Sequence, residues 1–587
     1  MRCRALIAVL LLALLSASPA AARVGSSASR PRPAPLSATV AEAPVPVPAS
    51  ELPPAGRRLS ADRVLALAAA LPKMRAVRRR YPGSYGGAYL KGPLRWQVSF
   101  FSRKGAKEIG QVIIADASGR VLEQWTGFQV AWTMARGYPG AFGRHAGALY
   151  IWLPLCILFV LPFVDWRRPF SLLHLDLLVL LSFSVSLAFF NHAHIYASVP
   201  LAYPPLLYLL ARMLALTRRR SSPPPLRLLI PAPWLALGVI FLLGFRIALD
   251  VTDSNVIDVG YAGVIGAQRI VDGGALYGGY PADNEHGDTY GPVNYEAYVP
   301  FELIFGWSGA WDDLPAAHAA AIVFDLLAVA LLFLLGRRVR GPTLGIVLAY
   351  AWVSYPFTLF ALESNSNDTL VAVPILAALL FATSPPARGG FAALAGLTKF
   401  APLALAPLLS TYGLRERGGW VRFASLRSRA FALFLLAFLA TVALVSIPAF
   451  THDALHTVYE RTILYQSNRN SPFSVWGLYG LHGLQLVVQL AAVALALALA
   501  VVPRAGGGQR LAGSPIPSLS AACAAVIIAT QLGIEHWFYL YIPWFFGLVL
   551  LALLGARVGS DHVPTPRASV RDAASAPARS SPLAAAQ

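Results

Sequence analysis

The feature that most constrains this chain is a series of apolar runs, each roughly 18 to 22 residues long. A helix of that length crosses the hydrocarbon core of a bilayer, and such runs recur through most of the 587 residues. Hydrophobic residues make up 56% of the chain and charged residues only 13%. The sequence therefore predicts a mainly α fold, a polytopic transmembrane helical bundle rather than a set of soluble domains.

Eleven of these runs are predicted to span the membrane. A further stretch, residues 388–410, is predicted as a broken helical hairpin with its bend near Lys399. The two arms of that hairpin raise the total to 13, so we expect about 11–13 membrane helices. The predicted spans are residues 147–165, 172–190, 195–216, 229–249, 315–336, 342–361, 368–384, 429–450, 478–502, 516–533 and 538–555.

The arrangement of positive charge predicts the orientation. Arginines cluster after the first, third and fifth spans, and Lys and Arg are retained on the cytoplasmic side of a membrane. We therefore expect a multi-pass protein of the cell (cytoplasmic) membrane, with the N-terminal part and the loop 250–314 extracytoplasmic and the C-terminus cytoplasmic. The net charge of +20 reflects this retention. Since the sequence contains no base-reading module, it does not predict nucleic-acid binding.

The two ends of the chain have the composition of targeting or unfolded segments. Residues 1–22 have basic residues, an apolar run and a small-residue end, as in a secretory signal peptide that is either cleaved or kept as an anchor. Residues 23–58 are rich in Pro, Ala and Ser and predict a disordered tether. Residues 556–587 predict a disordered cytoplasmic tail.

Residues 59–145, between the tether and the first span, predict a small extracytoplasmic α+β domain. Ser60 is placed to cap a helix that runs to about Leu71. Three β-rich runs follow, at residues 96–100, 111–115 and 121–125.

The helix and the antiparallel runs, with the spacing Asp116-x-x-Gly119-x-Val121 between two of them, resemble the PepSY domain. This resemblance implies a non-catalytic module with a binding or regulatory role. Residues 146–228, which follow it, are predicted to supply three extra transmembrane helices.

The loop 250–314 is acidic, although the chain is basic elsewhere. Carboxylates at the edge of a membrane are costly to place and are therefore functional candidates. A carboxylate can deprotonate an acceptor hydroxyl, or it can hold a metal ion beside a departing phosphate. Asp258 and Asp253 are the candidates for these catalytic roles. The acidic residues of the loop include Asp250, Asp253, Asp258, Asp272, Asp283, Glu285, Asp288, Glu296 and Glu302.

Further polar groups are expected on the same face. Lys and Arg side chains can neutralise phosphate oxygens, and aromatic and amide side chains can contact a sugar. The candidate substrate-binding residues are Lys399, Asn367, Asp368, Asp288, Tyr290, Asn294, Tyr295, Arg461, Arg469 and His536.

Structural alternatives stay open for many of these residues. Asp258 is also placed to cap a loop helix, and Asp288 to organise a tight turn. Lys399 is also placed to pair with a carboxylate such as Asp368 or Asp325. Asn367 and Asp368 are also candidates to cap the helix that follows them, Asn294 and Tyr295 to pack, and His536 to lie in an aromatic belt at the membrane interface.

Three motifs, in order, resemble the GT-C superfamily of membrane glycosyltransferases, especially glycosyltransferase family 87, whose members use polyprenol-phosphate-mannose. The resemblance covers about residues 229–555. It rests on the order of the three motifs along the chain and on their predicted position at one face of the membrane. Residues 23–228 fall outside it. The motifs are Asp258-Val-Gly-Tyr261 with Gly273-Gly-Ala-Leu-Tyr277, then Asn365-Ser-Asn367-Asp368, then Arg388-Gly-Gly with Gly396-Leu-Thr-Lys399-Phe-Ala-Pro402.

The resemblance implies an enzyme that moves a sugar, such as mannose or arabinose, from a polyprenyl-phosphate carrier to a glycan, lipid or protein acceptor. It implies Asp258 as the catalytic carboxylate, a donor held at the outer face, and contact with membrane lipids. A divalent cation, Mg²⁺ or Mn²⁺, is left open as a cofactor. Two other interpretations remain: a transporter or flippase of lipid-linked sugars, and a PepSY-type sensor or assembly protein without catalysis.

Overall fold

The computed structural model describes residues 44–137, 142–218, 224–311, 313–414, 420–502 and 515–558. The described part of the chain is mostly helical, with 66% of its residues in helices and a small antiparallel sheet near the N-terminus. The predicted mainly α class is therefore confirmed. The predicted signal peptide at 1–22 and all but the first residues of the predicted tail lie outside the described residues.

The N-terminal domain is a five-stranded antiparallel sheet covered by two helices. The strands follow one another in the order β1-β2-β3-β4-β5. The Ser60 hydroxyl accepts a hydrogen bond from the Arg63 backbone N–H and caps the first helix as predicted. Pro72 ends that helix and begins the next. The elements are β1 Val45–Val47, α1 Ala61–Ala70, α2 Pro72–Arg80, β2 Tyr85–Lys91, β3 Arg95–Phe101, β4 Glu108–Ala115 and β5 Val121–Thr126.

The core of this domain forms where α1 lies on the sheet. Val64 and Ala68 of α1 are fully buried in one cluster with Trp96 and Val112 of the central strands. The indole N–H of Trp96 donates to the Asp116 carboxylate at 2.8 Å. Asp116 also accepts from backbone N–H groups that precede α1, and it thereby fixes the entry of that helix onto the sheet.

Two strands of the sheet differ from the expectation. The three predicted β-rich runs are β3, β4 and β5, but β1 and β2 were not predicted. Because Val45–Val47 pairs with β2, the prediction of a disordered tether at 23–58 is wrong for its C-terminal end. A three-residue edge strand between prolines and a strand that contains Gly86 and Gly87 have weak intrinsic β signals; both are held by pairing with their neighbours.

The C-terminal part of the chain is a helical assembly. Within the described residues, five helices are long and apolar enough to cross a membrane, or six if a pair bent by 60° counts as one span. The five are Leu172–Asn191, Ile195–Thr217, Ala232–Asp253, Pro315–Arg340 and His482–Val501, and the bent pair is Pro342–Ser354 with Pro356–Glu363.

Shorter apolar helices occupy the remaining predicted spans. The helix Pro385–Thr398 ends where Lys399 takes an extended conformation, and Ala401–Ser410 follows that break, so the chain is interrupted at the predicted bend. The count of 11–13 membrane helices stays a prediction. The shorter helices are Leu149–Phe163, Asp368–Leu380, Ala401–Ser410, Arg429–Val445, Ile516–Leu532 and Tyr539–Leu554.

Several short helices lie in the connections. They are Phe128–Ala131, Asp258–Val271, Pro292–Glu296, Val299–Phe305, Ile447–His452, Leu455–Tyr459, Tyr465–Asn468 and Val475–Tyr479. The helix Asp258–Val271, here called α3, begins five residues after the helix Ala232–Asp253 ends.

A buried ion pair fixes the register of the helices below α3. The guanidinium of Arg246 donates to Asp325 at 2.7 and 3.1 Å, and both residues are almost fully buried. Asp325 also accepts from the Trp352 indole at 2.8 Å. A buried charge is tolerated when it is paired and hydrogen-bonded in this way. The pair leaves Asp325 engaged, so it is not the partner of Lys399.

Candidate functional site

Six predicted site residues come together at one end of the apolar helices, and we call them the charged cluster. They are contributed by helix ends and by the loops that join them. Asp258 begins α3, Asp368 begins the helix Asp368–Leu380, and Lys399 follows the helix Pro385–Thr398. The charged cluster consists of Asp258, Tyr290, Asp368, Lys399, Arg469 and His536.

The beginning of α3 is held tightly against the loop that contains Asn365. A Cβ atom added at Gly260 would lie 2.2 Å from the Asn365 carbonyl oxygen, and one at Gly266 would lie 2.2 Å from the Tyr295 ring. Small residues at these positions therefore allow the close approach. Asn365 itself has a positive φ of 47°, which Asn tolerates better than most residues. This packing sets the position of Asp258 relative to Asp368, three residues after Asn365.

Asp258 is the first residue of α3 rather than its cap. The residue before the helix is Ile257, whose apolar side chain cannot accept a hydrogen bond. Asp258 is an exposed residue. The surrounding protein still displaces much of its hydration, and this desolvation raises the pKa of the carboxyl above its ordinary value, while the positive charges of Arg469 and Lys399 oppose the rise. The carboxyl thus has the environment of a proton acceptor whose basicity is increased.

Lys399 and Asp368 form a buried ion pair inside an aromatic enclosure. The ammonium lies 2.5 Å from an Asp368 carboxylate oxygen, which also accepts from the Trp544 indole at 3.0 Å. Lys399 Nζ is also 5.2–5.3 Å from the ring centroids of Tyr290, Tyr541 and Trp544. Cations are attracted to aromatic ring faces at such distances. The pairing alternative for Lys399 is the one observed, and its charge also acts on Asp258.

Arg469 contrasts with Lys399, because part of its guanidinium has no partner among the described residues. Its Nε is buried and no described residue accepts a hydrogen bond from it. The guanidinium carbon lies 5.8 Å from the centroid of the Trp132 ring. The charge of Arg469 acts on Asp258, Tyr290 and His536. An anion is the natural ligand for an arginine in this state.

His536 completes the charged cluster as a neutral group. Its Nδ1 lies 2.9 Å from the Ser471 hydroxyl, and its ring packs edge-on against Phe473. Burial lowers the pKa of the imidazole well below its ordinary value, and Arg469 and Lys399 lower it further. The imidazole is therefore uncharged at neutral pH and available for hydrogen bonding.

Two predicted substrate-binding residues bind each other instead. Arg461 donates to both carboxylate oxygens of Asp288, at 2.6 and 2.7 Å. Asp288 is fully buried and also accepts from the Gly278 backbone N–H at 2.6 Å. Arg461 donates in addition to the Glu285 carbonyl. This arrangement fastens the segment around Arg461 to the turn that contains Asp288, as the turn-forming alternative for Asp288 expected.

Asp253 lies with a different set of charges. Its carboxylate pairs with Arg144 at 3.8 Å and contacts the His145 imidazole. Both partners belong to the segment between the N-terminal domain and the first apolar helix. Asp253 is therefore engaged away from Asp258. Among the described residues, no group of three or more His, Cys, Asp or Glu side chains is placed to hold a metal ion.

Three other candidates are packed in the interior. The Asn367 amide donates to the Asn294 side-chain oxygen at 2.5 Å, and both residues are fully buried. Asn367 precedes the helix Asp368–Leu380 without capping it through its side chain. Tyr295 is also fully buried and donates to the Gly287 carbonyl at 2.8 Å. These groups support the loops beneath the charged cluster.

Sequence reasoning did not assign three aromatic residues of this site. Tyr541 and Trp544 follow His536 in the stretch for which the sequence predicts an aromatic belt at the membrane interface, although their spacing of three places them on one helix face. Their centroids are 4.5 Å apart in a stacked arrangement. Trp132 comes from the segment after the N-terminal sheet, and no sequence signal connected it to the loops of the helical part.

Comparison of the chain with protein-family models and with curated proteins gives no match.

Proposed function

We propose that this chain is an integral membrane glycosyltransferase. It moves a sugar, such as mannose or arabinose, from a polyprenyl-phosphate carrier to an extracytoplasmic glycan, lipid or protein acceptor. The proposal combines the order of the sequence motifs that resemble the GT-C superfamily with the chemistry of the charged cluster. The apolar helices beside the cluster supply a surface on which a polyprenyl chain and membrane lipids can lie.

One observation carries the proposal. Asp258, an exposed residue whose carboxyl has a raised pKa, shares a cluster with Arg469, whose buried Nε has no hydrogen-bond acceptor among the described residues. Sugar transfer from a phosphate carrier requires both groups: a base for the acceptor hydroxyl and a cation for the departing phosphate.

The roles of the residues follow from this requirement. The acceptor oxygen forms a bond to the anomeric carbon, and the bond from that carbon to the phosphate oxygen breaks. The proton of the acceptor hydroxyl passes to Asp258, and the electron pair stays on the phosphate. Arg469 stabilises the charge that develops there, while Lys399 adds positive potential from its aromatic enclosure.

The test is a transfer assay in membranes. Membranes containing the chain are incubated with a series of radiolabelled polyprenyl-phospho-sugars, and label is followed into lipid, glycan and protein fractions. We expect transfer from at least one donor, and none in matched membranes that lack the chain. EDTA added to the same assay tests whether Mg²⁺ or Mn²⁺ is required.

The same assay separates the alternatives. A transporter or flippase would move the intact donor across sealed vesicles without releasing polyprenyl phosphate. A sensor or assembly protein would neither move it nor cleave it. Absence of bond cleavage with the whole donor series would contradict the proposed function.

A further inference from the structure

The segment after the N-terminal sheet reaches the charged cluster through the side chain of Trp132. Trp132 lies between the short helix Phe128–Ala131 and a 3-10 turn. Its ring contacts three residues that belong to the loops of the helical part. The ring centroid is 5.4 Å from that of Phe473, in an edge-to-face arrangement, and 5.9 Å from that of His536. The third contact is the guanidinium of Arg469 at 5.8 Å.

A second arginine fastens this segment to the N-terminal sheet. Arg136 is almost fully buried and donates to the Gln129 and Val130 carbonyls at 2.9 and 3.1 Å. It also lies 4.0 Å from the Glu123 carboxylate and 5.7 Å from the ring of Trp125, both on strand β5. Trp132 is therefore held between the sheet on one side and the charged cluster on the other.

We propose that Trp132 is the positioning residue for Arg469, so that the N-terminal domain contributes a necessary part of the phosphate-binding site. The inference rests on the proposed function for the identity of the anion, but the contact between the two side chains does not depend on it. No described residue accepts a hydrogen bond from the Arg469 Nε. The face of the indole is therefore what limits the orientation of the guanidinium.

This arrangement gives the N-terminal domain a direct physical influence on the site. A guanidinium that lies over a ring face keeps its N–H groups free, so this cation–π contact orients Arg469 without using the donors that an anion needs. A shift of the segment that carries Trp132 removes the ring, and the guanidinium then gains rotational freedom that binding must take away again.

The test uses the purified full chain in lipid nanodiscs with farnesyl phosphate as the probe, measured by equilibrium dialysis. We expect Trp132→Ala to weaken binding about 10-fold, and Trp132→Phe, which keeps a ring face, to weaken it much less. Trp166 is 75% exposed and is not part of the site, so Trp166→Ala serves as the matched control and is expected to bind normally.

A double-mutant cycle distinguishes positioning from a general structural role. If Trp132 acts through Arg469, Trp132→Ala has no further effect in the Arg469→Gln background. Hydrogen exchange across residues 465–474 should also increase in Trp132→Ala and stay unchanged in the control. Equal losses in both backgrounds, or unchanged binding in Trp132→Ala, would overturn the inference.

The outcomes also separate this inference from the proposed function. If the unaltered chain binds farnesyl phosphate but transfers no sugar, the function fails and the binding cycle still decides the role of Trp132. If the unaltered chain does not bind the probe, the phosphate site of this inference is refuted as well. The exchange measurement then tests only the contact between Trp132 and Arg469.

Discussion

Two aspartate and arginine sets, drawn from the same two loops, are in opposite states. Asp288 and Arg461, the closed pair, satisfy each other through two short hydrogen bonds, and the backbone satisfies much of what remains. Asp258 and Arg469, the open pair, interact through space: Asp258 is an exposed residue, and no described residue accepts a hydrogen bond from the Arg469 Nε. Both sets consist of the same two residue types.

The difference shows which charges hold the loops and which are left for a ligand. In the closed pair, the ionic hydrogen bonds between the two side chains offset the cost of removing them from water, so the pair holds the loops in place. An open pair keeps unsatisfied groups in place, and it persists because the surrounding packing holds it. We therefore assign structure to the closed pair and propose chemistry for the open pair.

The largest expected effect is on catalysis at the open pair. Asp258→Asn keeps the shape of the side chain but removes the proton acceptor, so sugar transfer should fall about 10³-fold. The measurement is the initial rate in the membrane assay, at equal amounts of inserted protein. Asp272→Asn, at an exposed acid near the end of α3, is the matched control and should keep its activity. Comparable activity in the two variants would remove Asp258 from the mechanism.

The next effect is on stability at the closed pair. Asp288→Asn leaves Arg461 without its charged partner, and breaking a buried pair costs about 3 kcal/mol. Because Arg461 is partly exposed, some of that cost is relieved by water. Unfolding in detergent, followed against denaturant, measures the loss. A variant as stable as the unaltered chain would show that the closed pair does not hold the loops.

Substitution of Arg469 and of Arg461 should affect different quantities, KM in the first case and melting temperature in the second. Arg469→Gln removes a donor to the phosphate, which we expect to raise KM for the donor about 30-fold, with little change in melting temperature. Arg461→Gln should lower the melting temperature and leave KM close to normal in the protein that remains folded. The reverse pattern would exchange the roles that we assign to the two pairs.

The smallest effect is a pH dependence of stability at Glu296, which lies in the same loop as Asp288. Burial raises the pKa of Glu296 from its ordinary value of 4.5 to about 7. Between pH 4.5 and 7 the folded state holds a proton on Glu296 that the unfolded state has released. The contribution of Glu296 to stability is therefore most favourable below about pH 4.5 and is lost as the pH rises towards 7. Glu296→Gln should flatten this decline. Parallel melting curves for both proteins from pH 4.5 to 8 would contradict the assignment.

The position and length of the apolar runs were sufficient to locate the apolar helices. Each apolar run corresponds to an apolar helix, because a segment without polar partners must satisfy its own backbone hydrogen bonds. The break at Lys399 was also predictable, since an unbroken span there would place the arginines that follow it on the outer side, against the retention of positive charge in the cytoplasm. The weak strands β1 and β2 were not predictable, because their neighbours hold them.

The site was predictable only as a set of candidates. Sequence reasoning selected all four residues and gave the two aspartates different roles, but it did not predict which arginine pairs with which aspartate. Asp288 and Arg461 are 173 residues apart, and no local rule predicts their pairing rather than a pairing of Asp288 with Arg469. The role of Trp132 could not be predicted for the same reason, because its contacts form only when the segment after the N-terminal sheet packs against loops that are distant in sequence.

The most direct test of the account compares both pairs in one measurement. Transfer from the preferred polyprenyl-phospho-sugar is measured for Asp258→Asn and Asp288→Asn, and each rate is divided by the amount of folded protein in the same nanodiscs. The account predicts near-normal transfer per folded molecule for Asp288→Asn and almost none for Asp258→Asn. Equal losses per folded molecule in the two variants would contradict it.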